Sequence, residues 1–332
     1  MPVITRARAA DRCAAAPPPP QGAPSLGFAF QAMSSGCEIR LDGDDETALA
    51  EAAQRAIDEV RRIERAFSRY RDDSIVSRIN AAAGSGEAIE VDAETAALLA
   101  FAGELHAASD GLFDITSGVL RRVWDFRAGR LPDPAALAAT LPLIGWGQVD
   151  FDGARVRLPC AGMELDFGGF GKEYAVDRAA ALLSAAGLRH GFVNLGGDIR
   201  VLGPRADGAP WRFGIAHPRR PDATIASVTL AEGALATSGD YERCFEHEGR
   251  RYCHILDPRT GWPVQGWASI SVTAPACLAA GALSTIAMLQ GERALAFLRT
   301  RDASYLAIDT ALRSFSQGLA APTSHTSAGA LQ

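Results

Sequence analysis

From Phe28 to Gly43 apolar and polar side chains alternate, with Cys37, Ile39 and Leu41 on one side, the two-residue period of a half-buried strand. The pattern breaks at Ser34–Gly36, which predicts a bulge where a ligand can approach the backbone. The period then lengthens. Leu49, Ala53, Ile57, Val60, Ile63 and Phe67 recur at helical spacing after Asp44 or Asp45 as N-cap, and the intervening residues are charged, so one face is core and the other solvent. A second helix is predicted from Ala93 to Ser109 under Asp92, ending at Asp110-Gly111. Between the two, the polar run FSRYRDDSIVSRIN reads as a structured loop with Ser74 capping a short helical turn.

GLFDITSGVLRRVWDF, from Gly111, sets Phe113 beside Asp114 and Thr116 ahead of a possible turn at Ser117-Gly118. Locally this fits a side-chain turn capping the helix that carries Leu120 and Trp124 as well as it fits a site. Residues 128–160 read as loop and short strands, the strands between Gln148 and Leu158. Leu165 to Phe167 is expected to be a strand end and Gly168-Gly169 a tight approach, followed by a helix from Lys172 through Ala185 that stops at Gly187. HGFVNLGGDIRVLG gives two β segments broken at Gly196-Gly197. This order superficially suggests a dinucleotide fold, but no GxGxxG occurs in it. Hairpin-like strands follow, with a polar turn at Glu248-Gly249. Then come the strand ASISVTAP, the small-residue helix ACLAAGALSTIAMLQG, a helix in GERALAFLRTR and a closing strand SYLAID.

Composition narrows the partners. The formal charge is −6 with 48% apolar residues and no basic run, which argues against nucleic acid or an anionic membrane as the main partner and means that an acidic ligand needs a local positive site. Lys172 is the sole lysine among 33 basic residues. A compact ammonium kept where every other base is a wide guanidinium fork points to a phosphate or a reacting oxygen, against the plainer reading of a surface lysine at a helix start. The six cysteines have no CxxC or metal-like spacing and read as reduced thiols. Residues 1–26, with PPPP at Pro17 to Pro20, and 320–332 read as disordered. No run approaches the roughly 20 apolar residues of a membrane span, and neither a signal-peptide core nor a lipoprotein site around Cys13 is present, so the sequence by itself reads as cytoplasmic.

His254, in YCHILDPRTGWPV beside Asp257, Arg259 and Thr260, is the best general-base candidate, although a histidine in a strand is more often packed and hydrogen-bonded. The run TSGDYER, Thr237 to Arg243, is either a hydroxyl-rich ligand loop or a turn capped by Asp240. No GxSxG, HExxH or GxxxxGK[ST] occurs, which removes the main supports for serine-hydrolase, zincin and P-loop readings.

Taken in order, AMSS, FSRYRDDSIVSRIN, GLFDITSG, LDFGGFGKEYAVD, VNLGGDIR, TSGDYER, HILDPRTGWPV and ALSTIAM resemble the ApbE family, the FAD:protein FMN transferases, over residues 28–310. The resemblance implies one α+β flavin-transferase domain, residues 27–319, with a mixed or antiparallel sheet and packed helices. It implies binding of FAD and, with Mg2+, transfer of its FMN half to a Ser or Thr of an acceptor protein in trans, releasing AMP. By motif, Met33, Tyr70, Leu112, Phe113, Asp114, Asp166, Lys172 and Ile255 are expected to line the FAD site. His254 is expected to activate the acceptor hydroxyl, and the Gly169 carbonyl and Thr285 to ligate the metal. Relatives commonly work in the periplasm or at a membrane anchor. The chain departs from the family in having Ser34-Ser35 where Gly-Thr is usual, Glu173 where Gly is common, and Gly281 where an Asp ligates the metal four residues before Thr285. Without that carboxylate, metal binding is expected to weaken unless Glu173, Asp166 or water fills the place. Flavin binding without transfer and hydrolysis of FAD to FMN and AMP are the alternatives.

Overall fold

The computed structural model describes residues 25–319. The N-terminal arm read from the sequence, Cys13 with it, and the tail from Ala320 lie outside the described residues except for the arm's last two positions. Strands β1 (Ser25–Ala32) and β2 (Ser35–Asp42) pair as a hairpin, so the interruption in the alternation is a reversal of direction and not a bulge. Met33 and Ser34 both have positive φ, 50° and 60°, as a two-residue turn needs if its twist is to match the strands it joins. The alternating face is kept: Cys37, Ile39 and Leu41 are all buried.

Helix α1 (Glu46–Phe67) begins where Asp45 accepts from the Ala48 N–H, and it buries the predicted stripe from Leu49 to Ile63. Next come α2 (Ile75–Ala81) under Ser74, the short strand β3 (Ile89–Glu90) and α3 (Ala93–Ala108) under Asp92. Asp114 caps a 3-10 helix, Ile115–Arg122. After α4 (Pro134–Thr140), strands β4 (Asp150–Phe151) and β5 (Arg155–Arg157) join β3 in a small sheet. The chain from Leu165 to Phe167 forms no strand. The Asn80 amide donates to the Leu165 carbonyl (3.0 Å) and accepts from its N–H (2.7 Å), so a side chain takes the place of a ladder partner. Helix α5 (Gly171–Ala185) then runs as the sequence predicts.

Strands β6 (Gly191–Leu195) and β7 (Asp198–Gly203) form a hairpin around the two glycines; β8 (Trp211–His217), β9 (Arg220–Leu230) and β10 (Gly233–Gly239) follow. The predicted Glu248-Gly249 turn joins β11 (Cys244–His247) to β12 (Arg250–Cys253). The remainder is β13 (Trp267–Ala274), α6 (Cys277–Gln290), α7 (Ala294–Thr300), β14 (Ser304–Asp309) and β15 (Ser314–Gln317), the last not anticipated from the sequence.

The main sheet has eight strands in the order β1-β2-β6-β7-β10-β13-β14-β15, and every ladder in it is antiparallel. Helices α1, α5 and α6 cover one face, sharing a core with Ile39, Val193, Leu195, Ala234 and Ala236. The β8–β9 hairpin covers the other, where Trp211 and Phe213 pack edge-on against Phe192. The α+β class follows from this layering. Alternate residues of the central strands go to two different cores, which leaves strand ends and turns to carry chemistry.

Candidate functional site

Helix α5 starts without a side-chain cap: Phe170 holds the N-cap position, and its ring is buried against Phe101, Phe113 and Phe167. The positive end of a helix of 15 residues is therefore left for another partner. Lys172 lies in this first turn. Its Nζ is 2.7 Å from Oδ2 of Asp198, a buried carboxylate at the start of β7 whose other oxygen accepts from the Thr237 N–H. Burial disfavours the ammonium, but the carboxylates of Asp198 and Glu173 outweigh it and hold the Lys172 pKa above the lysine range. The lysine is cationic at any working pH.

The residues predicted from the sequence fall into three groups. Met33 sits at the tip of the β1–β2 turn, its N–H donating to Glu64 (2.6 Å). The neighbouring Ser35 and the Lys172 ammonium both border Gly196, where a Cβ would lie 2.8 Å from Ser35 Cβ and 3.7 Å from Nζ. Tyr70 is 73% exposed and is tied to Asp166 through Arg69, which donates to Asp166 Oδ2 (2.6 Å) and to the Tyr70 hydroxyl (3.0 Å). Leu112, Phe113 and Asp114 are buried. The Asp114 carboxylate accepts from the N–H groups of Thr116 and Trp146 and from the Thr116 hydroxyl, so locally it braces the loop as the capping reading expected. Phe113 packs beneath Gly169, where a Cβ would meet its ring at 2.9 Å.

His254 follows directly on β12, its N–H bonded to the Arg243 carbonyl. The residue keeps exposed surface, yet the protein packed around its imidazole, then the positive charges of Arg243 and Lys172, bring its pKa down to about 4. It is therefore neutral at pH 7 and able to accept a proton. Ile255 beside it is buried.

The third group lies where α5 meets α6. Asp177 on α5 accepts from the N–H groups of Cys277 and Leu278 (both 2.9 Å) and so caps α6 from its neighbour. One turn back along α5 is Glu173, and one turn forward along α6 is Gly281. Thr285, a turn further on, shares a hydroxyl cluster with Ser238 and Ser284: Ser238 Oγ is 2.9 Å from Thr285 Oγ1 and 2.8 Å from Ser284 Oγ. Among the described residues no group of three His, Cys, Asp or Glu could hold a metal by itself. Hydroxyls, one or two carboxylates and a substrate phosphate form the donor set expected for Mg2+.

A family model described as "ApbE family" matches residues 33–308. The chain belongs to the ApbE family. Among its relatives it is 32% identical over 276 residues to an FAD:protein FMN transferase of Rhodobacter capsulatus, covering 81% of this chain and 52% of that protein. It is 31% identical over 264 residues to the FAD:protein FMN transferase of Haemophilus influenzae, covering 76% of each. The chain thus spans about half the length of the first relative and three quarters of the second. The crystal structure of the ApbE protein of Thermotoga maritima superimposes with a TM-score of 0.81 at 31% identity, covering 89% of this chain and 97% of that one.

Three residues of the candidate site were not singled out from the sequence: Arg69, Asp198 and Ser238. Each lies inside a motif that was, next to Tyr70, in NLGGD and in TSGD respectively. Arginines and aspartates are common on this chain's surface, so the signal was their position within a motif and not their type.

Proposed function

We infer that this chain is an FAD:protein FMN transferase that moves FMN from FAD to a Ser or Thr hydroxyl of an acceptor protein and releases AMP. The observation that carries the reading is Lys172: the only lysine, held by Asp198 at the uncapped end of α5, with a neutral histidine close enough to feel its charge. The helix end and the ammonium suit a pyrophosphate. Met33 offers partly exposed apolar surface, and Tyr70 an exposed ring, to the flavin, while Phe113 and Ile255 are buried, Phe113 beneath Gly169. In the reaction the acceptor oxygen attacks the phosphorus that carries riboflavin. A new P–O ester forms, the bridging P–O bond breaks toward AMP, and the hydroxyl proton passes to His254. The protein's work is to align the oxygen and neutralise the phosphates.

A hard divalent cation, Mg2+, fits at the α5–α6 seam. Oxygen donors gather there, and they include a buried carboxyl oxygen of Glu173 with no hydrogen-bond partner. The Thr285 hydroxyl and the Gly169 carbonyl are the ligands we assign from the sequence, and the cation would share the pyrophosphate charge with Lys172. Incubation with FAD, Mg2+ and a candidate acceptor should give a flavin-fluorescent acceptor band together with AMP. Absence of both across several acceptors and metals overturns the reading, and free FMN with no labelled protein would make water the acceptor.

A further inference from the structure

Glu173 is an unusual residue to find between two helices. It is 8% exposed, its Oε2 has no hydrogen-bond partner, and the only ammonium nearby, Lys172, bonds to Asp198. An unpaired buried carboxyl oxygen is costly, and native structures keep few of them unless a ligand or ion completes the set. Its position is also specific. A Cβ built on Gly281 would stand 2.5 Å from Glu173 Cγ, 2.7 Å from Oε1 and 2.9 Å from Cδ. No real Cβ tolerates those distances, so the end of the Glu173 side chain fills the volume that any side chain on Gly281 would need.

The two positions are locked in register by the Asp177 cap on Cys277 and Leu278, one turn away on each helix. Continuing past Glu173 and Gly281 by the same spacing leads to Gly169 on the chain entering α5 and to Thr285 on α6. The carboxyl group therefore lies against Gly281, one turn before Thr285, carried by α5 and not by α6.

We propose that Glu173 is the carboxylate ligand of the divalent cation in this chain, and that Gly281 is glycine because that carboxylate occupies its side-chain space. The absence of an acidic residue at 281 is then a relocation of the ligand from one helix to the other. This rests on the cation assigned under the proposed function. Glu173 binds the metal, and Gly281 acts only by making room.

Mn2+ binding, followed by loss of the free-ion EPR signal with FAD present, tests the assignment without any turnover. Wild type should bind, and Glu173→Gln, which keeps the shape and removes the acid's capacity to become an anionic ligand, should bind at least about tenfold more weakly, since even partners of metal ligands are worth 10- to 100-fold. Gly281→Asp alone should lower Tm without raising affinity, because its Cβ collides with Glu173. The exchange Glu173→Gly with Gly281→Asp should recover both Tm and Mn2+ binding, and this holds the test open even where Glu173→Gln folds poorly. Equal Mn2+ binding by wild type and folded Glu173→Gln, or an exchange variant that folds and does not bind, overturns the relocation while leaving the cation in place. No Mn2+ binding by wild type removes the cation itself, and this proposal with it.

Discussion

Helices α1 to α4 begin under a neighbouring side chain: Asp45, Ser74, Asp92 and Asp133 each accept from an N–H of the first turn. Helix α5 begins under none, with a buried phenylalanine at its N-cap and a lysine in its first turn. The first four satisfy their own ends and so specify only themselves. The fifth leaves its end open and sets there a lysine held by the Asp198 carboxylate, an arrangement suited to binding an anion. Helix α7 also lacks a side-chain cap, but it runs on from a 3-10 turn, so a missing cap marks a binding end at α5 only together with the lysine placed there.

The sharpest break in that contrast is His254→Ala, which should lower transfer by about 10²- to 10⁴-fold, the usual worth of a positioned base. Because the residue keeps exposed surface and its side chain makes no hydrogen bond within the described residues, the melting temperature should barely move. A transfer assay beside a thermal melt checks both. A variant that melts early would make the histidine a packing residue.

Next in size is Lys172→Arg. It preserves charge in a chain that otherwise uses only arginine, yet the fork must fit where Nζ meets Asp198 at 2.7 Å beside the Gly196 turn. We expect FAD affinity, read by flavin fluorescence, to fall about tenfold, a loss of about 1.4 kcal/mol. Unchanged affinity would mean that only the charge matters.

How far these features were visible in advance differs along the chain. Helices α1, α3 and α5 were legible because periodicity and caps are local. The β1–β2 turn reads as a bulge in the sequence because Met33-Ser34 carries no hairpin signal of the Asn-Gly kind, and the positive φ of both residues is seen only once the strands pair. Leu165 to Phe167 looked like a strand because its apolar residues are buried, while its backbone partner, Asn80, is 85 residues away in sequence. At the site, Lys172 and His254 stood out by rarity and residue type. Glu173 stood in the sequence as one of three substitutes for the carboxylate missing at Gly281, and what singles it out, its contact with Gly281 across α5 and α6, belongs to tertiary structure.

The pH dependence sharpens the role of His254. Its pKa in the folded chain, about 4, lies below the ordinary 6.5, so between those values the unfolded chain holds the extra proton. Its contribution to stability is complete above about pH 6.5 and declines as pH falls toward 4. The acid limb of transfer in the free enzyme should likewise sit near 4 and not 6.5, which a pH profile of kcat/KM and the NMR titration of the ring both read.

The smallest effect tests the other half of the contrast. Asp92→Ala removes the 2.7 Å bond to the Thr95 N–H at the start of α3 and should cost about 1 kcal/mol in urea unfolding. Burial counts against the Asp92 carboxylate only weakly. Its pKa is lowered first by the bonds from Thr95, so this contribution too is present at neutral pH and is lost as the acid protonates. Transfer per folded molecule should not change, because the α3 cap satisfies the helix and touches none of the residues gathered at α5. A fall in transfer beyond the fall in folded fraction would show that α3 positions Phe101 under Phe170, whose rings meet edge-on at 5.5 Å, and that the capped and open helix ends are coupled through that pair.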